Sequence, residues 1–167
     1  MTPSVPAPKP ASTAVSVGHV HLRVADLERS IAFYSGVLGL DVMQKFGEEA
    51  AFLSAGGYHH HLGLNTWESK GGTPPPAGHT GLYHTAFLYP TRADLADAVR
   101  RVLSAGYRIA GKADHGVSEA VYLNDPDGNG VELYWDKPRQ AWPVDRDGKL
   151  AMVNAPLDLD ALQTEAS

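Results

Sequence analysis

From Val17 to Val24 apolar and polar side chains alternate. Val20, Leu22 and Val24 fall on one side, His19, His21 and Arg23 on the other, which predicts a half-buried β-strand. The period then lengthens. Asp26 is a good helix N-cap, Leu27, Ile31, Tyr34 and Leu38 recur at helical spacing, and Gly39 ends the run. Short strand patterns follow around 40–45 and 50–55, and the stretch Tyr58-His-His-His-Leu-Gly-Leu-Asn-Thr-Trp67 reads as a further strand. Residues 68–79, ESKGGTPPPAGH, are a linker by composition.

Beyond the linker the order repeats. Leu82–Tyr89 is a strand pattern with His84 near its start. Thr91 and Asp94 frame a capping box, and Leu95, Val99 and Val102 carry a helical stripe to Gly106. A strand around Tyr107–Gly111 leads into His115–Asp136. There Asn124-Asp-Pro-Asp-Gly-Asn-Gly130 is a turn between two apolar runs, so the segment reads as a β-hairpin. The expected fold class is therefore α+β: two βαβββ units, 15–67 and 80–136, joined by the linker into one body at 15–136 and forming an open barrel around a metal site. Residues 1–14 read as a disordered leader and 137–167 as a C-terminal extension with a short helix at Asp158–Gln163.

The repeat places His19 and His84 at equivalent positions. In the hairpin's second strand Glu132 lies between Val131 and Leu133, mid-strand, where a carboxylate is disfavoured unless solvated or held by a partner. If each helix covers its own sheet's apolar face, the polar faces confront one another across a concave space bordered by His19, His84 and Glu132. The fourth corner is then expected near Leu62 or Leu64, neither of which can bind a metal. Two imidazoles, one carboxylate and open positions suit non-haem Fe(II) and O₂. The Asp125–Gly130 run is too short for a calcium loop and reads as a structural turn. His21 reads as a satisfied polar residue, and His79, in the linker, carries no functional reading.

Composition narrows the classes. A net charge of −5 without a basic run argues against nucleic acid and anionic membrane surfaces. With no cysteine, disulfides, thiolate metal sites and a cysteine nucleophile are excluded. No apolar run approaches a transmembrane length, and a cytoplasmic location is expected.

Four motifs then carry a resemblance: Gly18–Tyr34, Tyr58–Trp67, Gly81–Phe87 and His115–Tyr134. Over about Val17 to Trp142 the chain closely resembles the vicinal oxygen chelate superfamily, and within it the catechol 2,3-dioxygenase (extradiol) group. The first and third motifs point to the superfamily, the second and fourth to its ring-cleaving dioxygenases. The resemblance implies His19, His84 and Glu132 as metal ligands and His60 as the active-site acid/base, on one face with Leu62 and Leu64 if its strand is regular. It implies His115 and Tyr122 as hydrogen-bond donors to developing oxyanions. The implied metal is Fe(II), with Mn(II) as the alternative, and the implied reactants are a catechol-type aromatic diol and O₂. Extradiol enzymes of this group often have four such units and this sequence has two, so oligomeric state does not carry over and a homodimer stays open. The alternatives are a hydroquinone ring-cleaving dioxygenase, a glyoxalase-like isomerase or epimerase (usually with a fourth ligand), and a metal-free protein that binds an aromatic drug.

Overall fold

The computed structural model of the chain describes residues 12–166; most of the expected leader, 1–11, lies outside the described residues. The first unit contains β1 (Val20–Arg23), α1 (Leu27–Ile31), β2 (Asp41–Phe46), β3 (Ala50–Ser54) and β4 (Leu62–Asn65). Helix α1 is capped by the Asp26 carboxylate, which accepts from the Arg29 N–H at 3.0 Å, and it runs directly into a π-helical stretch at Ala32–Val37. The second unit contains β5 (Thr85–Leu88), α2 (Arg92–Ser104), β6 (Gly111–Asp114), β7 (Ser118–Asn124) and β8 (Gly130–Asp136), followed by α3 (Leu159–Gln163). Each unit folds one four-stranded sheet, ordered β1-β4-β3-β2 and β5-β8-β7-β6, with the first pair parallel and the others antiparallel. This is the expected α+β pair of βαβββ units, as two open sheets that are not closed into a barrel.

Three strands are shorter or later than their patterns suggest. Strand β4 begins at Leu62 rather than Tyr58, because the Tyr58, His59 and His61 rings pack on one another before it, at centroid separations of 4.0 and 4.8 Å from Tyr58. Strand β5 begins one residue after His84. Strand β6 begins only at Gly111, because the Tyr107 N–H is spent closing α2 on the Val102 carbonyl at 3.1 Å while its ring packs on Phe33.

Both sheets give their apolar faces to one core. Leu53, Leu62 and Leu64 from the first sheet and Leu123, Val131 and Leu133 from the second belong to the same buried cluster, together with Phe33, Tyr34, Leu95, Val99 and Val102 from the helical segments. Each such fully buried side chain contributes about 1.5–3 kcal/mol. Arg101 on α2 reaches across to donate to the Val37 carbonyl at 3.1 Å. The β7–β8 turn forms a polar joint between the units. Asp125 is buried and accepts from the Tyr34 hydroxyl at 2.8 Å and from the Asp127 and Asn129 N–H groups at 2.9 and 2.8 Å. Burial, with the Asp125 charge beside it, pushes the Tyr34 phenol far up, so it stays a donor. Asp127 in the same turn takes the Arg29 guanidinium at 2.6 Å. The structural reading of this turn therefore explains its carboxylates. The sheets thus share one core, and among the described residues His19, His84 and Glu132 are not gathered into one group within a chain.

Candidate metal centre

Strand pairing decides what each polar face carries. In β8 the residues Val131 and Leu133 point into the core, so Glu132 stands on the opposite face. Parallel pairing sets Glu132 beside Ala86, which brings His84, two residues earlier on β5's entry, to the same face. There His84 Nε2 donates to Glu132 Oε2 across 2.9 Å. On the neighbouring strand Tyr122 pairs directly with Glu132 and donates its hydroxyl proton to Oε1 at 3.1 Å. The same phenol oxygen lies 2.8 Å from His115 Nε2. Burial, the Glu132 charge and this hydrogen bond push the Tyr122 phenol up to about 12. A cavity of about 430 Å³ opens beside the group, lined by His84, Tyr122, Tyr83, Leu82, Pro74 and Pro75. Tyr83, Leu82 and the two prolines were legible in the sequence only as linker and strand entry. His115 does not line this cavity; it reaches it through Tyr122. A larger cleft, about 640 Å³, is lined by Asp26, Glu28, Lys45 and Lys70 among others and contains none of the histidines.

The first unit carries the other half. His19 precedes β1 and packs against His60, ring centroids 4.4 Å apart, with Phe52 4.9 Å from His60 on the other side. Desolvation and the neighbouring His19 and His59 lower the His60 pKa, so its ring is neutral at pH 7. His60 does not share a face with Leu62 and Leu64, which is a correction: those leucines pair with Val20 and Leu22 and are fully buried in the core. His60 sits instead in the bend before β4. The fourth corner moves with them. Val20 pairs with Leu62 as Thr85 pairs with Val131, so the counterpart of Glu132 is Gly63. A Cβ at Gly63 would lie 2.8 Å from the His21 ring, which occupies the space that a fourth side chain would need. The Trp67 N–H donates to Asn65 Oδ1 at 3.3 Å, which turns the Asn65 amide nitrogen toward His21 Nε2 at 3.0 Å. His21 is thus a satisfied polar residue, and burial together with His19 lowers its pKa. The alignment of Leu62-Gly-Leu64 with Val131-Glu-Leu133 was the sequence signal for this corner.

The residues of the second unit fit a metal ion. An imidazole nitrogen and a carboxylate oxygen brought to 2.9 Å on one face are donor types that one divalent ion would take together. His84 Nδ1 is buried without a hydrogen-bond partner. Buried polar groups are otherwise satisfied, so this nitrogen marks His84 as a ring whose partners the chain does not itself complete. Among the described residues, however, no three His, Cys, Asp or Glu side chains are gathered to hold one ion. Within a chain, His84 and Glu132 form one half-set and His19 stands apart, with His60.

Comparison with known proteins agrees with this architecture. The family description "Glyoxalase/Bleomycin resistance protein/Dioxygenase superfamily" matches residues 16–133. A catechol-2,3-dioxygenase of Bacillus subtilis is 42% identical over 150 residues, 90% of this chain and 52% of that protein. Biphenyl-2,3-diol 1,2-dioxygenase 3 of Rhodococcus globerulus is 35% identical over 121 residues, 72% of this chain and 63% of that protein. The chain thus spans about half the length of the first relative and under two thirds of the second. A glyoxalase/dioxygenase crystal structure from Nostoc punctiforme superposes with a TM-score of 0.66 at 23% identity, covering 81% of this chain and all of that one, a likeness of fold. With a matching family description over most of its length and the same paired units in its fold, the chain belongs to the glyoxalase/bleomycin resistance protein/dioxygenase superfamily, the vicinal oxygen chelate proteins.

Proposed function

We propose that this protein is an extradiol dioxygenase that opens a catechol-type aromatic diol with O₂, using Fe(II), with Mn(II) as the alternative. The observation that carries the reading is the connected run His84–Glu132–Tyr122–His115 beside a cavity of ligand size. The similarity to two dioxygenases of aromatic diols supports it. When bound, the ion supplies Lewis acidity that lowers the pKa of a diol hydroxyl, together with the redox chemistry that O₂ requires. His84 and Glu132 would hold it, with His19 as third ligand. His60, neutral at pH 7, accepts a proton from the diol and returns it at ring opening. Tyr122 keeps its proton at neutral pH and donates to the developing negative charge, with His115 behind it. The apolar wall of Leu82, Pro74 and Pro75 takes the ring.

The third ligand comes from a second copy of the chain. Within a copy His19 is exposed in the first unit, the His84–Glu132 pair lies in the second, and the three are not gathered among the described residues. A symmetric pair sets the first unit of each copy against the second unit of the other, giving two equivalent centres. A glyoxalase-like isomerase is disfavoured because Gly63 leaves its fourth ligand position without a side chain.

The test is the reaction. Fe(II)-loaded protein is expected to consume one O₂ per catechol and yield a ring-opened semialdehyde in which ¹⁸O₂ supplies both new oxygen atoms, read with an oxygen electrode and mass spectrometry. Uptake with hydroquinones alone moves the assignment to a hydroquinone-cleaving enzyme. No uptake with any diphenol, despite bound iron, sinks the oxygenase reading in favour of an isomerase or a binding protein.

A further inference from the structure

The C-terminal extension returns to the candidate centre. After β8 the chain starts from an ion pair between Lys137 and Asp114 at 2.7 Å, forms a small hairpin at Val144–Leu150, and lays residues 153–155 along the edge of β6. Ala155 N–H donates to the Asp114 carbonyl at 2.8 Å, and Asp114 N–H to the Ala155 carbonyl at 2.9 Å. Val153 N–H donates to the His115 carbonyl at 3.0 Å. The far end is fastened by Leu157 and Leu162, both buried in the core, and by the ion pair of Glu165 with Arg92 on α2. The segment closes over Gly116, where φ is +77° and an added Cβ would lie 2.8 Å from Pro143 and 3.2 Å from Val153. Nothing bulkier than glycine fits beneath it.

Its contact with His115 has a direction. His115 Nδ1 lies 3.2 Å from the Val153 carbonyl oxygen. A carbonyl carries no proton, so Nδ1 is the donor. In the neutral ring Nε2 is then the acceptor, and it faces the Tyr122 hydroxyl at 2.8 Å. Free histidine in water favours the opposite tautomer, with the proton on Nε2. The Tyr122 hydroxyl can donate to Nε2 or accept from it, so it does not fix the tautomer; the Val153 carbonyl can only accept, and on the Nε2–H tautomer it would face a lone pair.

We infer that the C-terminal segment is a positioning element of the centre: the Val153 carbonyl holds His115 as its Nδ1–H tautomer and aims Nε2 at the Tyr122 hydroxyl. The catalytic part of this inference rests on the proposed function; the tautomer does not. A phenol with a second acceptor behind it is no longer bound to Glu132 alone. Its single proton has two stations, 2.8 and 3.1 Å away, on either side of the oxygen. Turning between them lets the Glu132 oxygen serve a cation while the phenol stays anchored.

The experiment combines imidazole ¹⁵N–¹H correlation spectra of the metal-free chain at neutral pH with turnover of the Fe(II)-loaded chain on catechol. Wild-type His115 is expected to show a protonated Nδ1 and a bare Nε2. Val153→Ala keeps both backbone contacts and is expected to keep that spectrum. Val153→Pro deletes the N–H that docks the segment on His115, and the ring is expected to revert to the solvent tautomer. Its kcat falls about 10- to 100-fold, the range for an outer partner of a liganding group, with KM and iron content little changed. A wild-type spectrum with the proton on Nε2 overturns the inference, even where the proline variant does not fold. So does a folded Val153→Pro chain that retains the Nδ1–H tautomer. If the wild-type chain shows the Nδ1–H tautomer but cleaves no diol, the oxygenase reading fails and the hold of Val153 on His115 stands.

Discussion

Glu132→Ala folds and cannot retain iron. The carboxylate stands 2.9 Å from His84 Nε2, and among the described residues no three-ligand cluster offers the ion another home. Losing even an outer partner of a liganding side chain costs about 10–100-fold in metal affinity. Losing the only anionic ligand therefore costs more than about 100-fold, and metal content after desalting falls from about one ion per chain to near zero. His84→Ala is expected to do the same, whereas His79→Ala, whose ring Nδ1 lies 3.1 Å from the Pro76 carbonyl in the linker, leaves metal content intact. A second readout separates binding from folding. An ion that binds only the native state raises the wild-type stability by about 2.7 kcal/mol at a free concentration 100 times its Kd, so the melting temperature rises with added metal. The Glu132→Ala melting temperature is expected not to move. A Glu132→Ala chain that keeps one iron would remove Glu132 from the centre.

His60→Phe is expected to keep the metal and lose turnover by about 10²–10⁴-fold, the usual loss for a general acid–base group. Its position supports the role: its ring packs on His19, the proposed third ligand, at a centroid separation of 4.4 Å. The pH profile gives the sign. A base works when deprotonated, and the His60 pKa is lowered from 6.5 by desolvation and by His19 and His59. In the wild type kcat/KM is thus expected to hold down to a pH below 6.5 and to fall as pH drops through the lowered pKa. That acid limb disappears in His60→Phe. His61→Phe tests the neighbour. Its Nδ1 lies 3.0 Å from Ser54 Oγ and 3.4 Å from the Ala55 N–H, which makes it a structural ring. Turnover is expected to survive there. If His61→Phe loses turnover and His60→Phe does not, the acid–base assignment moves by one residue.

Much of this architecture is written in the alternation of side chains. The two helical stripes, the hairpin at 115–136, the repeat and the pairing of His84 with Glu132 follow from period and spacing, because a strand's faces are fixed by residue parity. The repeat brings the fourth corner near Leu62 or Leu64, and the strand register sets it on Gly63 between them; the face of His60 was not legible because the histidine run looks like the start of a regular strand. Parity was available all along: a small residue between two leucines repeats a carboxylate between Val131 and Leu133. The packing of the units was less legible. An apolar stripe says that a face is buried, and it does not say whether the neighbour that buries it is the unit's own helix or the other unit. Here both helices and both sheets share one core, and the Asp125–Tyr34 bond ties a turn that reads as local to a helix 91 residues away. The tail showed three prolines and a short helix, with no sign of its carbonyl on His115, because backbone contacts leave no trace in side-chain pattern.

The central claim, one metal centre assembled from His19 of one copy and His84 with Glu132 of another, is tested most directly by mixing two inactive chains. His19→Ala and Glu132→Ala are each expected to bind no metal. Unfolded together in equal amounts and refolded, they distribute statistically, and half of the pairs are hybrids. In a hybrid one centre carries both lesions and the other carries none, since the intact His19 faces the intact His84 and Glu132. Metal content is therefore expected to return to about a quarter of the wild-type value, which itself is about one ion per chain. If the wild type binds its ion and the mixture stays empty, the three ligands belong to one chain and the paired arrangement is wrong.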